Sequence, residues 1–182
     1  MKIILSANPY RDRGLRATME AQRILRKAGA EVVICLPFTP KKGDRLDLPG
    51  QVELSTLEQE LPGADLLICF GGDGTILHAA RDATLHGVPV MGVNMGSVGF
   101  MAELERGELS QLAALPKGQY TTEKRMMLDV RVLRGEKVVS QDLALNDAVI
   151  SKGSMARVAE MEVLADDVQA AAIMGDGVIV AT

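Results

Sequence analysis

One stretch of sequence decides the fold: Leu66-Leu67-Ile68-Cys69-Phe70-Gly71-Gly72-Asp73-Gly74-Thr75-Ile76-Leu77. Its first part, residues 66–70, is a short unbroken apolar run, which is typical of a strand covered on both faces. Three glycines then surround Asp73, and Thr75 begins a run of good helix formers. Backbone N–H groups at the start of a helix bind phosphate oxygens. The stretch therefore predicts a strand, a glycine turn and a helix, with a carboxylate beside a place that suits phosphate.

The Gly-Gly-Asp-Gly pattern has a structural and a functional interpretation. In the structural one it is an ordinary turn between a strand and a helix, with Asp73 as the helix cap. In the functional one Asp73 is a base or a metal ligand beside a phosphate. We expect the glycines to tolerate positive φ and to let a ligand approach the backbone. The pattern differs from the dinucleotide fingerprint, and from a P-loop, which would need a Lys before the Thr.

Strands alternate with helices over the first two thirds of the chain, which predicts a parallel sheet with right-handed crossovers. Ligands of such sheets bind at the carboxyl ends of the strands. Residues 37–50, rich in Pro and Gly, are predicted to form a mobile loop. We expect strands at residues 2–6, 31–36, 66–70 and 88–93, helices at 17–28 and 75–85, and short helices at 54–61 and 108–115.

Near Tyr120 the apolar period changes to two, which indicates β structure. A hairpin turn is predicted at Arg134-Gly135-Glu136-Lys137, and another turn at Asp166-Asp167. The sequence thus predicts an α/β domain at residues 1–120, followed by a partial all-β domain at 121–182. The β strands are expected at residues 126–132, 138–150, 158–164, 168–174 and 178–180.

Composition restricts the class of protein. The 182 residues carry a formal net charge of −4 and are 47% hydrophobic, an ordinary globular composition. No basic bias suggests nucleic acid as a partner. No apolar run approaches the roughly 20 residues that span a bilayer, and the first apolar run is too short for a signal peptide. Cys35 and Cys69 lie in apolar runs, so we expect reduced core cysteines in a cytoplasmic protein.

A second motif, Asn94-Met95-Gly96-Ser97-Val98-Gly99-Phe100, follows an apolar strand. With residues 71–75 and with Leu145-Asn146-Asp147-Ala148, it resembles the NAD kinases, and the resemblance covers the chain from Lys2 to Thr182. That family phosphorylates the 2′-hydroxyl of the adenosine ribose of NAD. The resemblance implies an α/β fold with an N-terminal Rossmann-like parallel sheet and helices, followed by the beginning of an all-β, NAD-binding domain.

The resemblance also implies roles for individual residues. Asp73 matches the family's general base. Asn146 and Asp147 match a pair that suits a ribose diol, because an amide beside a carboxylate offers both a donor and acceptors. Mg²⁺ and a phosphate donor, ATP or polyphosphate, are expected. Phosphate-holding residues would be Gly71, Gly72, Gly74 and Thr75, and further nucleotide contacts would be His78, Phe100, Arg157 and Asp176.

Several alternatives stay open at this point. His78 is equally well a structural histidine, and Phe100 equally well a core residue. The cluster Arg11, Arg13 and Arg16 is interpreted first as a solvated face and second as a phosphate contact. For the whole protein, a lipid kinase of the diacylglycerol or sphingoid type shares Gly-Gly-Asp-Gly-Thr but should lack the second motif. A nucleotide-binding module without turnover is the other alternative.

The end of the sequence carries a further expectation. In the family the last strand continues into a Thr-Pro-Thr-Gly-Ser-Thr-Ala-Tyr-like segment and the rest of a β domain, through which the enzymes form dimers or tetramers. We therefore expect a chain that ends at Thr182 to lack kinase activity and to associate, because a half-built antiparallel sheet leaves an open edge.

Overall fold

The computed structural model describes residues 1–40, 43–50, 52–96, 99–153 and 157–182. The chain forms two compact units, Met1–Lys124 and Arg125–Thr182. The domain boundary expected near residue 120 lies close to this division. Among the described residues no helix is both long enough and apolar enough to cross a membrane.

The first unit is built on a six-stranded sheet in which every strand pair is parallel. The predicted α/β class is therefore confirmed. All four predicted strands are present, and two further strands of two residues each extend the sheet at its edges. In spatial order the strands are β3 (Leu54–Ser55), β2 (Glu31–Cys35), β1 (Lys2–Ala7), β4 (Leu66–Gly71), β5 (Val90–Asn94) and β6 (Leu104–Glu105).

Three α-helices and two 3₁₀ segments connect these strands among the described residues. The helix predicted at residues 54–61 is only partly right, because β3 occupies its first residues. The Thr56 hydroxyl then accepts a hydrogen bond from the Gln59 N–H at 3.4 Å and so begins the short helix that follows. The helices are α1 (Arg16–Lys27), α2 (Leu57–Glu60) and α3 (Asp73–Thr84), and the 3₁₀ segments are Arg13–Leu15 and Arg106–Lys117.

Alternate residues of the central strands face two separate cores. Leu66, Ile68 and Phe70 of β4 pack into one core with α1 and the segment Arg106–Lys117. Leu67 and Cys69 pack into the other core with α2 and α3. This period of two follows from strand geometry and explains why β4 is apolar throughout.

Both cysteines are buried and free, as predicted. Burial raises the pKa of the Cys35 thiol and of the Cys69 thiol to about 12. Their surroundings are aliphatic, so they serve as small apolar core residues.

The described residues of the second unit form six strands, which pair into three two-stranded antiparallel sheets. The single strand predicted at residues 138–150 is wrong, because two strands occupy this stretch. Residues 137–144 pair with residues 128–134, whereas residues 147–151 pair with residues 177–181. No described residue of this unit is buried. The strands are β7 (Leu128–Arg134), β8 (Lys137–Ala144), β9 (Asp147–Ser151), β10 (Ala159–Ala165), β11 (Val168–Gly175) and β12 (Gly177–Ala181).

Candidate functional site

A cavity of about 400 Å³ lies at the carboxyl ends of β1, β2 and β4. This is where a parallel α/β sheet normally binds its ligand. Four residues predicted from the sequence line it: Gly72, Gly74, Thr75 and His78. The remaining walls come from the loops after β1 and β2, through Asn8, Arg11, Pro37 and Phe38.

The connection from strand to helix is shorter than the sequence suggested. Strand β4 ends at Gly71 and α3 begins at Asp73, so only Gly72 lies between them. None of the glycines around Asp73 is among the described residues with positive φ, so their tolerance of that conformation is not used here. Gly72 instead has an extended backbone, with φ −103° and ψ −176°.

The three glycines around Asp73 differ in why a side chain is absent. A Cβ added to Gly71 would lie 2.3 Å from Oγ1 of Thr75, which no packed structure allows. At Gly72 and Gly74 an added Cβ would meet nothing within 4 Å. Because both line the cavity, their missing side chains leave the backbone there accessible to a ligand.

The N-terminus of α3 has no side-chain cap, and its N-cap residue is Gly72. The structural interpretation of Asp73 as the cap is therefore wrong. Helix α1 differs, because the buried Asp12 carboxylate accepts hydrogen bonds from the N–H groups of Ala17 (3.1 Å) and Thr18 (2.9 Å). The first turn of α3 thus stays available to an anion beside the cavity.

Asp73 joins the two sequence motifs. Its Oδ1 accepts a hydrogen bond from the backbone N–H of Met101 at 3.2 Å. The N–H of Met95 also donates to the Gly71 carbonyl at 2.9 Å. The two motifs are therefore adjacent, as their positions at strand ends predicted. Ser97 and Val98 of the second motif lie outside the described residues.

The buried side chain of Asn94 makes hydrogen bonds within the second motif and to a residue that follows it. It is 5% exposed, its Oδ1 accepts from the Gly96 N–H at 2.9 Å, and its Nδ2 donates to both Glu105 carboxylate oxygens at 3.1 and 3.2 Å. A Cβ added to Gly99 would lie 2.7 Å from the Asn94 side chain. The Asn and Gly of this motif therefore shape the loop, while Phe100 is 90% exposed and is not a core residue.

Sequence reasoning missed Asn8. Its Nδ2 donates to Oγ1 of Thr75 at 3.1 Å, and its Oδ1 accepts from the Tyr10 N–H at 3.1 Å. Because Asn8 supplies a donor to Thr75, the hydroxyl hydrogen of Thr75 is left to donate to a ligand. The available signal was an amide side chain placed directly after strand β1.

The other predicted residues belong to the second unit. Asn146 and Asp147 are in contact, with Nδ2 of Asn146 donating to Oδ2 of Asp147 at 3.1 Å. Asp176 forms an ion pair with Lys152, whose Nζ lies 2.8 Å from Oδ1. Arg157 is exposed.

The described residues contain no group of three or more His, Cys, Asp or Glu side chains arranged to hold a metal ion. Mg²⁺ commonly binds one or two carboxylates and takes its other ligands from water and substrate phosphates. Asp73 lies in sequence between Gly72 and Gly74, which line the cavity, although it is not itself a lining residue. A single carboxylate of this kind is compatible with an ion that arrives with a substrate, and the part of the chain that the structure describes holds no all-protein metal cage.

Comparison with known proteins agrees with this arrangement. Residues 3–120 match the family model of the ATP-NAD kinase N-terminal domain. The chain belongs to the NAD kinase family. Curated relatives in this family include an NAD kinase of Acetivibrio thermocellus, which is 31% identical over 183 residues, and one of Symbiobacterium thermophilum, which is 37% identical over 183 residues.

The match with these NAD kinases covers 100% of this chain but only 61% and 62% of the two relatives. A crystal structure of yeast NADH kinase complexed with NADH superposes with a TM-score of 0.81 at 18% identity. The superposition covers 100% of this chain and 57% of the yeast chain. At that identity the likeness shows the fold alone.

Proposed function

We propose that this protein is a NAD kinase, which transfers a phosphoryl group from ATP or polyphosphate to the 2′-hydroxyl of the adenosine ribose of NAD. One observation carries the proposal: the Met101 N–H holds the Asp73 carboxylate in the first turn of an uncapped helix, and the neighbouring Gly72, Gly74 and Thr75 line the cavity at the strand ends. Membership of the NAD kinase family supports the same activity.

Donor phosphates would bind at the start of α3. The backbone at Gly72 and Gly74 is accessible there, and the Thr75 hydroxyl has a hydrogen to donate. Gly71 would act by keeping Thr75 in place. His78, exposed on the same wall of the cavity, would contact a phosphate. A Mg²⁺ ion brought with the donor would offset its negative charge.

Asp73 would act as the general base. Its carboxylate would take the proton of the ribose 2′-hydroxyl while that oxygen forms a bond to the terminal phosphorus of the donor. The bond from this phosphorus to the bridging oxygen breaks, and the shortened donor leaves. The Met101 N–H fixes one carboxylate oxygen, so the side chain is oriented before the substrate arrives.

We assign binding of the acceptor ribose to Asn146 and Asp147. In the Asn146–Asp147 pair the amide already donates to one carboxylate oxygen. The amide carbonyl and the second carboxylate oxygen are then available to ribose hydroxyls. We assign further nucleotide contacts to Phe100, whose exposed ring can stack on a base, and to Arg157 and Asp176. We also propose a cytoplasmic homo-oligomer, a dimer or a tetramer.

Of the two other classes, the lipid kinase is not favoured, because the family match and the Asn-Met-Gly motif both point to NAD kinases. A nucleotide-binding module without turnover is the remaining alternative function. The deciding experiment incubates the longest natural form of the protein with NAD, ATP and Mg²⁺ and measures NADP by an enzyme-coupled assay. NADP formation supports the proposal. NAD binding without NADP, or phosphorylation of diacylglycerol in vesicles, would overturn it.

A further inference from the structure

A second cavity, of about 320 Å³, is lined by four arginines and two aspartates. We call it the arginine pocket, formed by Arg11, Asp12, Arg13, Arg16, Asp47 and Arg106. Three of the arginines precede or begin α1, and Arg106 begins the 3₁₀ segment that packs in the same core as α1. Arg11 also lines the cavity at the start of α3, so the two cavities share a wall.

The charges of this pocket are unbalanced. Four guanidinium groups face two carboxylates, and Asp12 is already occupied by the N–H groups of Ala17 and Thr18 and by the Thr18 hydroxyl at 2.7 Å. Among the described residues, none of the four arginines forms an ion pair with a carboxylate. Unpaired positive charges collected around a cavity attract an anion.

The backbone that carries these arginines is held firmly. Asp12, between Arg11 and Arg13, is only 2% exposed and ties the loop to α1. Gly14 donates its N–H to the Asp47 carbonyl at 3.1 Å. Leu15 adopts a left-handed φ of 48°, which is costly for a residue other than glycine. Such strain persists where the surroundings fix the conformation, and it is frequent at ligand sites.

We propose that the arginine pocket binds a chain of phosphate groups. The guanidinium fork matches phosphate oxygens in geometry and charge, and it stays charged at every physiological pH. This inference goes beyond the kinase assignment, because it concerns binding and requires no turnover. The bound phosphates are either the far part of a donor that also reaches α3, or a separate anion.

The test titrates inorganic tripolyphosphate into the same form of the protein as the kinase assay and measures the heat of binding. Arg16→Gln and Arg106→Gln each remove one charge-assisted contact, so affinity should fall about tenfold or more. Arg23→Gln is the matched control, because it removes the same charge from the same helix, α1, outside the pocket. Its affinity should stay within about twofold of the parent, since Arg23 is exposed about two helical turns from Arg16, where salt screens most of its charge.

Arg106 lies on a different element from Arg16, so a folding defect in one variant leaves the other informative. Circular dichroism of each variant checks that the fold is kept. If both variants bind as tightly as Arg23→Gln, or if millimolar tripolyphosphate does not bind the parent chain, the proposal is wrong.

Thr75→Val distinguishes the two sources of phosphate. If one ligand spans both cavities, Thr75→Val and Arg16→Gln weaken the same one-to-one binding event. If the pocket takes a separate anion, Arg16→Gln removes an event that Thr75→Val leaves unchanged. A single event that responds to Thr75→Val and to neither pocket variant would place the ligand only at α3 and overturn the proposal.

Discussion

The carboxylate of Asp73 and the backbone N–H of Met101 form a hydrogen bond of 3.2 Å across 28 residues of sequence. This contact fixes one oxygen of Asp73 against the end of the Asn-Met-Gly motif. The second oxygen has no partner among the described residues. One side chain thus joins the two motifs and keeps an acceptor for a substrate proton.

Replacing Asp73 with asparagine should separate these two tasks. The new amide would keep a carbonyl oxygen for the Met101 N–H but would be a very poor base, so kcat should fall by about 10²–10⁴-fold. Binding of NAD, measured by calorimetry, should change little. Asp73→Ala is the comparison, because it also removes the acceptor for Met101. Near-normal turnover of Asp73→Asn would exclude the base role.

Gly71→Ala tests the close packing at the start of α3. The new Cβ would collide with the Thr75 side chain, so the free energy of unfolding should fall by about 1–3 kcal/mol. Gly72→Ala is the matched control, since its Cβ meets no atom within 4 Å and its φ is negative. Urea denaturation measures both variants. Equal stability of the two would show that Thr75 moves aside without cost.

Asn146→Ala tests the acceptor subsite in steady-state kinetics. The substitution removes the amide that donates to Asp147 and would contact a ribose hydroxyl. We expect the KM for NAD to rise far more than the KM for the phosphate donor. A change in the donor KM alone would mean that the two subsites are reversed.

The buried thiols should be unreactive in the folded protein. Burial raises the pKa of Cys35 and Cys69 to about 12, so at pH 8 only about 10⁻⁴ of each is thiolate. Iodoacetamide followed by mass measurement should label neither cysteine at pH 8, and both in urea. Because the folded pKa is raised, the thiols favour the folded state below about pH 9, and this contribution is lost between pH 9 and 12. Rapid labelling of either cysteine in the native chain at pH 8 would contradict the burial of the thiols.

The strong periodic elements could be predicted from the sequence. The unbroken apolar run of β4 and the alternation of apolar and polar residues in β7 are visible in a single chain. The strands β3 and β6 could not be predicted, because two residues carry no period. The break between β8 and β9 was missed because the partner of β9 is β12, which lies far along the sequence.

At the candidate site, residue types were easier to predict than their tasks. The glycines around Asp73 were found, and open backbone for a ligand was expected of them, whereas the close packing of Gly71 against Thr75 was not. Asn8 was missed because its contact with Thr75 spans 67 residues. Such pairings arise only when the sheet brings strand ends together.

The single residue between β4 and α3 also limits how this protein can vary. Each residue added to a helix start turns the following side chains by about 100°. An insertion beside Gly72 would therefore carry Asp73 away from Met101, and a deletion would do the same in the opposite sense. The connection from β2 to β3 runs from residue 36 to residue 53, and long connections tolerate changes of length far better than a one-residue step does. Length variation among natural homologues should accordingly collect in that connection, while the step from strand to helix keeps a constant length.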